Sequence, residues 1–257
     1  KVKMSYQTYI PCDALKPYVR SFAIAESIEE GSYKILPDTG IVIGFQYKGK
    51  LSYFDNSNEV ALSAAGITGL RDSYRTFRNA ANTGTVLVYF KEAGAATFFR
   101  QPIHELFRES VSLENFMLRS ELLVTEEQLA EASTHSAKIE VIEQFLLARM
   151  QSTTPDQMVL SALALIHKSK GTIRIRELAQ QLYISQGALE KRFRKVAGAS
   201  PKKFAGIVRI KHILQKYDAS SSLTSLGYEA GFYDQAHFIK EFKAFTGETP
   251  DTFFSAK

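Results

Sequence analysis

Cysteine is nearly absent from this chain: Cys12 is the only one in 257 residues. An internal disulfide and any cysteine-based zinc site are therefore excluded, and a lone cysteine reads as an inert packing residue. Histidine is sparse as well. His104, His135, His167, His212 and His237 are all of them, and none falls within residues 5–90. No apolar run approaches the ~20 residues that a membrane helix needs. No apolar block of the signal-peptide kind stands at the amino-terminal end, so a cytoplasmic location is expected, with no membrane partner. A Gly-rich phosphate loop and a G-x-S-x-G elbow are also missing.

What is present divides unevenly. Residues 1–154 hold 16 Lys and Arg against 18 Asp and Glu, a balance of −2. Residues 155–257 hold 16 against 9, a balance of +7, which together give the overall +5. At this length two cores can be buried. The polar, proline-terminated Ser152-Thr153-Thr154-Pro155 is the natural boundary, giving domains 1–154 and 155–257. A basic second domain suits a polyanionic partner.

The first domain is β-rich. Val19–Ile24, Ile41–Tyr47, Leu51–Phe54, Val60–Leu62 and Thr85–Phe90 are short β-branched and aromatic runs. Turn compositions at 48–50, 55–58 and 81–84 separate them. Many short strands favour a small barrel or a double-sheet sandwich. After Phe90 the period becomes helical, with short helices expected at 93–99, 103–107 and 113–117 and longer ones at 125–132 and 136–150. Ile139, Ile142, Phe145 and Leu146 make a stripe suited to the barrel or to a second subunit. Phe45, Tyr47, Tyr53 and Tyr89 are candidates to line the barrel around a small effector, although such aromatics are more often plain core. Arg71, Arg75 and Arg78 read either as an anion-binding cluster or, more simply, as a solvated loop.

The second domain holds two helix-turn-helix units after a helix over 156–168. In the first unit Ile175, Leu178, Ala179 and Leu182 form an apolar stripe at helical spacing. Ala179 allows a close helix crossing, Ile184 plugs the turn and Ser185 can cap the next helix. Leu189 and Phe193 then point inward, leaving Glu190, Lys191, Arg194 and Lys195 outside. In the second unit Leu223, Leu226 and Ala230 form the stripe, Gly227 takes the close-approach position, and Gly231 and Phe232 make the turn. Asp234 is the expected cap, with Phe238, Phe242 and Phe245 inward. Both units close alike, on Gly198 with Ser200-Pro201 and on Gly247 with Thr249-Pro250, an internal repeat that chance rarely produces. A long helix from Pro201 to about Tyr217 joins them and fixes the spacing of the two recognition helices.

These strings resemble the DNA-binding domain of the AraC/XylS family of bacterial transcription regulators. The likeness covers residues from about 160 to 254, and Gly231-Phe232, Phe238…Phe242 and Gly247-Glu248-Thr249-Pro250 are its most diagnostic parts. More weakly, the strands resemble the cupin-like sensory domain that often precedes it. The fold class is then α+β: a small β-barrel with flanking helices, followed by an all-α domain. The resemblance implies duplex DNA as partner, with RNA polymerase, a small-molecule effector and a homodimer as further ones. It implies DNA contacts from Ser185, Gln186, Gly187, Glu190, Lys191 and Arg194 in the first unit. In the second it implies Tyr233, Asp234, Gln235, Lys240 and Lys243, with Ala236 at a reading position. Gly187 and Ala236 are smaller than the family's usual side chains there, and Gly227 replaces its usual alanine. His237 lies in the same helix, where packing or solvent exposure is the simpler role.

No cofactor, metal site or catalytic residue is expected. A metal-dependent barrel enzyme would need converging histidines, which residues 5–90 do not supply. A DNA-repair relative with methyl-accepting cysteines is ruled out by the single Cys12. Besides the sequence-specific regulator, a sequence-indifferent architectural DNA binder remains as an alternative, and behind it an enzyme using the barrel.

Overall fold

The computed structural model describes residues 4–152, 154–217 and 223–255. Thr153, in the expected boundary, and the side chain of Thr224, in the second unit, lie outside the described part. In the first domain two antiparallel sheets face each other. The larger has the order β1 (Met4–Tyr9), β2 (Val19–Ser27), β9 (Thr83–Phe90), β4 (Val42–Lys48), β7 (Ala65–Thr68) and β10 (Ser110–Ser112). The smaller runs β3 (Gly31–Ile35), β8 (Arg75–Asn79), β5 (Leu51–Asp55), β6 (Asn58–Ala61).

The apolar runs of the sequence become β2, β4, β5, β6 and β9. Strands β1, β7 and β10 coincide with none of those runs, and β3 and β8 are not legible either. Their apolar residues come singly between charged ones, as in Tyr33-Lys34-Ile35 and Arg75-Thr76-Phe77-Arg78, with too few periods to register.

Alternation decides what each face of the larger sheet does. In β4, Ile43 and Phe45 point to one side, under α1 (Arg119–Glu131) and α2 (His135–Leu147). There the Phe45 ring meets Phe145 of α2 edge-on, with centroids 5.1 Å apart. Ile139, Ile142, Phe145 and Leu146 are all buried, so this helix uses its apolar stripe inside the domain. α1 starts six residues before the expected 125. The three short helices expected between strand and α1 are single 3-10 turns at Gly94–Thr97, Ile103–Leu106 and Leu113–Asn115. The first follows Ala93, left-handed at φ 64°, and the second follows an extended Pro102.

The second domain comprises α3 (Gln157–Lys168), α4 (Ile175–Gln181), α5 (Gln186–Ala197), α6 (Pro201–Lys216), α7 (Leu223–Glu229), α8 (Gln235–Thr246) and α9 (Pro250–Ser255). Phe193 and Phe204, fully buried, join the first unit to α6 at 5.5 Å between centroids. At the far end of α6, Tyr217 stacks on Phe254 at 3.7 Å, and Arg209 lies 4.5 Å over the Phe232 ring. α6 therefore packs against both units.

The domains touch along a charged seam. Lys211 of α6 and Arg20 both pair with Asp38, and Lys203 of α6 and Arg108 both pair with Asp72. His167 of α3 meets Glu92 at 2.8 Å, and Lys34 meets Glu248 at 2.8 Å. Burial would raise the Asp38 carboxyl, but the hydrogen bonds and charges of Lys211 and Arg20 outweigh it and bring it down to about 2. The hydrogen bond and charge of Glu92 raise His167 above its ordinary value, against a smaller opposing effect of burial.

Two outcomes are expected at this seam. Asp38→Asn should cost about 1–2 kcal/mol, between the exposed and buried regimes for an ion pair, measured by chemical denaturation. The His167 contribution is fully present below pH ~6.5 and is lost as pH rises through the elevated folded-state value. Amide exchange at the end of α3 should accordingly speed up between pH 6 and 8, after correction for intrinsic exchange. Glu92→Gln should remove that dependence.

Candidate nucleic-acid interface and sheet cavity

Each recognition helix is set by the same local chemistry. α4 ends in a turn where Tyr183 takes a left-handed φ of 52° and Ile184 N–H donates to the Ala179 carbonyl at 3.1 Å. α7 ends where Gly231 has φ 75° and Phe232 N–H donates to the Gly227 carbonyl at 3.1 Å. The two closures are the same bond, but the second unit has one residue more before its cap. The Ser185 hydroxyl accepts from Ala188 N–H at 3.2 Å, and the Asp234 carboxylate accepts from His237 N–H at 2.7 Å. Leu189 and Phe193 below α5, and Phe238, Phe242 and Phe245 below α8, are buried. At the close-approach position, a Cβ on Gly227 would lie 3.1 Å from Phe238 Cδ1, so the family's usual alanine would be tight here.

What is left outside is the candidate interface. Gln186, Gly187, Glu190, Lys191 and Arg194 of α5 are exposed, as are Gln235, Ala236, Lys240 and Lys243 of α8. Nothing lies within 4 Å of a Cβ built on Gly187. Ser185, Tyr233 and Asp234 stand at the helix starts; Tyr233 is 90% exposed. Glu190 is 3.6 Å from Arg194 one turn on, so the two partly neutralise each other before any phosphate arrives. His237 is exposed and bonded to Glu241 at 3.1 Å. Two features escape the sequence reading. Tyr183 is 98% exposed beside the first recognition helix, and Arg192 is tied to Asp156, the cap of α3, at 2.7 Å. The first has no periodicity to betray it, and the second is a tertiary contact.

The far ends of both helices are fixed to the first domain. α5 ends on Gly198 (φ 84°), against Ile103 and Leu70; α8 ends on Gly247 (φ 87°), against Tyr74 and Lys34.

Between the two sheets lies a cavity of about 150 Å³. Of the four aromatics expected around an effector, Tyr89 lines it. The other three are placed elsewhere. Phe45 is on the opposite face of β4, under α2. Tyr47 donates to Glu26 at 2.9 Å beneath Lys138, and Tyr53 is covered by the Arg75 guanidinium at 3.9 Å. Helices cover the outer face of the sheet, so the large side chains of β4 go there, and Val42, Gly44 and Gln46 face the hollow.

The three arginines also part company. Arg78 pairs with Glu30 and Glu59, whereas Arg71 and Arg75 both donate to the Arg108 carbonyl, at 2.9 and 3.0 Å. Arg71 is only 7% exposed, so it is no solvated loop residue, and burial together with Arg75 pushes its guanidinium down to about 10. Among the described residues no group of three or more His, Cys, Asp or Glu is placed to hold a metal ion, and no helix is long and apolar enough to cross a membrane.

The caps are directly testable. Ser185→Ala and Asp234→Ala should each cost ~0.5–2 kcal/mol in chemical denaturation, whereas Gln186→Ala, beside the first cap, should be near neutral.

Both parts of the chain match known families. Residues 178–256 match a family described as a helix-turn-helix domain, and residues 7–112 match a domain of unknown function, DUF6597. The Msm operon regulatory protein of Streptococcus mutans is 26% identical over 155 residues, which is 58% of this chain and 55% of that protein. The match thus spans about half of that relative's length. Among solved structures, ToxT from Vibrio cholerae aligns over 98% of both chains with a TM-score of 0.47 and 11% identity. The C-terminal domain of AraT from Geobacillus stearothermophilus aligns over 41% of this chain and 89% of its own, with a TM-score of 0.38 and 18% identity. With paired units that agree in turn, cap and closing glycine, this chain carries an AraC-type helix-turn-helix domain at its C-terminal end.

Proposed function

We propose that this chain is a sequence-specific transcription regulator that reads duplex DNA with α5 and α8 in successive major-groove segments. The domains divide at 154/155, and the first one senses a small molecule and passes its state to the second through the charged seam. The observation that carries this reading is the pair of helices, each capped, buried on one face and exposed on the other. Domain 155–257 carries the net +7 that phosphate neutralisation uses.

The roles follow from side-chain chemistry. Lys191, Arg194, Lys240 and Lys243, all exposed cations, are assigned to phosphates, where each contact releases counterions and raises affinity for every sequence. Gln186, Glu190 and Gln235 can read base edges: an amide is bidentate to adenine, and a carboxylate accepts from the cytosine amino group. With Gly187 and Ala236 contributing little reach, discrimination rests on few side chains. In a bipartite motif of this kind, half-sites lie roughly one duplex turn, about 34 Å, apart. RNA polymerase is the partner through which such a protein acts on transcription. No catalytic residue is assigned.

The test is selection of the full chain against a random duplex library, followed by binding titrations on the enriched site. Gln235→Ala should relax preference within one half-site, by ~1–3 kcal/mol of lost discrimination. Arg194→Ala should instead weaken all sequences and reduce the salt slope by about one. Binding with a steep salt slope but no enriched sequence would point to an architectural binder.

A further inference from the structure

The cavity between the sheets is more specific than its size suggests. Its walls are largely apolar, from Val42 and Leu87 on the larger sheet and Ile35, Leu51 and Phe77 on the smaller. None of its described lining residues is Asp, Glu, Lys, Arg or His. Burial holds the phenols of Tyr33 and Tyr89 above their ordinary values, so these walls stay uncharged at neutral pH.

Several polar lining groups are already used by the protein. Gln46 donates to the Ser63 carbonyl at 2.6 Å and accepts from Leu51 N–H at 2.7 Å. Thr83 bonds the Ala80 carbonyl, and Thr68 bonds Ser110. Two lining residues differ. Asn79 Oδ1 and Thr85 Oγ1 are buried with no hydrogen-bond partner, in side chains that are 0% and 3% exposed. The Asn79 amide is fixed, because its Nδ2 donates to the Glu29 and Ala80 carbonyls at 2.7 and 3.1 Å, which leaves Oδ1 as an acceptor. One of the two atoms comes from each of the facing sheets, β8 and β9. Leaving such groups unmatched is unfavourable, and both belong to side chains that line the hollow, so a donor reaching them from it would be stabilised.

We propose that this cavity binds a small, uncharged and mainly apolar molecule carrying an O–H or N–H donor, of the class of phenols, indoles or alicyclic alcohols. A cavity of this volume with apolar walls accommodates a benzene-sized group. A charged ligand would be buried there without a counter-charge, which is strongly unfavourable. The donor is required by Asn79 Oδ1, while the Thr85 hydroxyl can give or accept. The inference deepens the sensory role proposed above and rests on it for any effect on transcription, but binding itself is independent of DNA.

The experiment measures binding to the full chain without DNA, by calorimetry and thermal unfolding, with phenol, toluene and benzoate as probes. Phenol should bind and raise Tm with concentration, toluene should bind more weakly, and benzoate should not bind. Thr85→Val, nearly isosteric, should weaken phenol about three- to tenfold and leave toluene unchanged. Gly44→Leu should abolish binding of both. A Cβ there meets only Leu87 and Thr85 side chains, at 3.5 and 3.6 Å, so the added side chain can fill the hollow without disturbing backbone. Benzoate binding as tightly as phenol would overturn the uncharged class, and equal binding of phenol and toluene would overturn the donor requirement. If no neutral probe bound, the two oxygens would be served by water and the site would not exist. Failure of the DNA selection with phenol binding intact would instead remove the regulator reading and leave this one standing.

Discussion

The exposed faces of α5 and α8 depend on how the two helices end. α5 and α8 each stop at a glycine in the left-handed region, a conformation that a side chain bearing a Cβ adopts only at a cost of roughly 1–2 kcal/mol. The same two glycines are where the helices meet the first domain. A Cβ on Gly198 would stand 3.0 Å from Ile103, and one on Gly247 would stand 2.8 Å from Tyr74. The C-terminal ends are thus seated on the sheet domain while the N-terminal ends, with their caps and exposed polar side chains, face away. A displacement of the sheet domain would be transmitted to both reading helices at corresponding positions.

The seam around these seats joins apolar contact, with Ile103 and Leu70 buried beneath Gly198, to a set of ion pairs. Asp38 and Asp72 each serve two cations, one from their own domain and one from α6. Partly buried pairs of this kind contribute on the order of 1–2 kcal/mol each, between the exposed and buried regimes. That suits a junction that holds one arrangement without locking it. Strand β3 connects the seam to the cavity. Tyr33 and Ile35 line the hollow, and Lys34 between them reaches the other way, to Glu248 and over the Tyr74 ring at 4.8 Å.

The second domain was far more legible in the sequence than the first, for a physical reason. Helix starts and stops carry local signatures, so Ser185, Asp234, Gly198 and Gly247 are found in the chain as they are used in the fold. The exposed positions of α5 and α8 follow from the 3.6-residue period once Leu189, Phe193, Phe238 and Phe242 are placed inward. The sheets are specified by pairing between distant strands, which no short window records. β3 and β8 have too few apolar periods to register, and the two faces of β4 are not distinguished by its own residues. Its aromatics were the obvious candidates for a binding site, yet the glycine and glutamine alternating with them mark the hollow. An apolar side chain announces burial, but not which of two buried faces it takes. The seam was also out of reach, since Asp38 and Lys211 are far apart in the chain and each looks like an ordinary surface charge.

With both closing glycines seated on the sheet domain, contact with that domain, and not α6 alone, should fix α5 and α8 relative to each other. This can be measured by electron–electron resonance between nitroxides on Gly187→Cys and Ala236→Cys, both at exposed positions, in a Cys12→Ser background. One narrow distance distribution is expected in the full chain, broadening when Tyr74→Ala and Lys34→Ala remove the seat of Gly247. An unchanged narrow distribution in that variant would contradict it, and would assign the spacing to α6 alone.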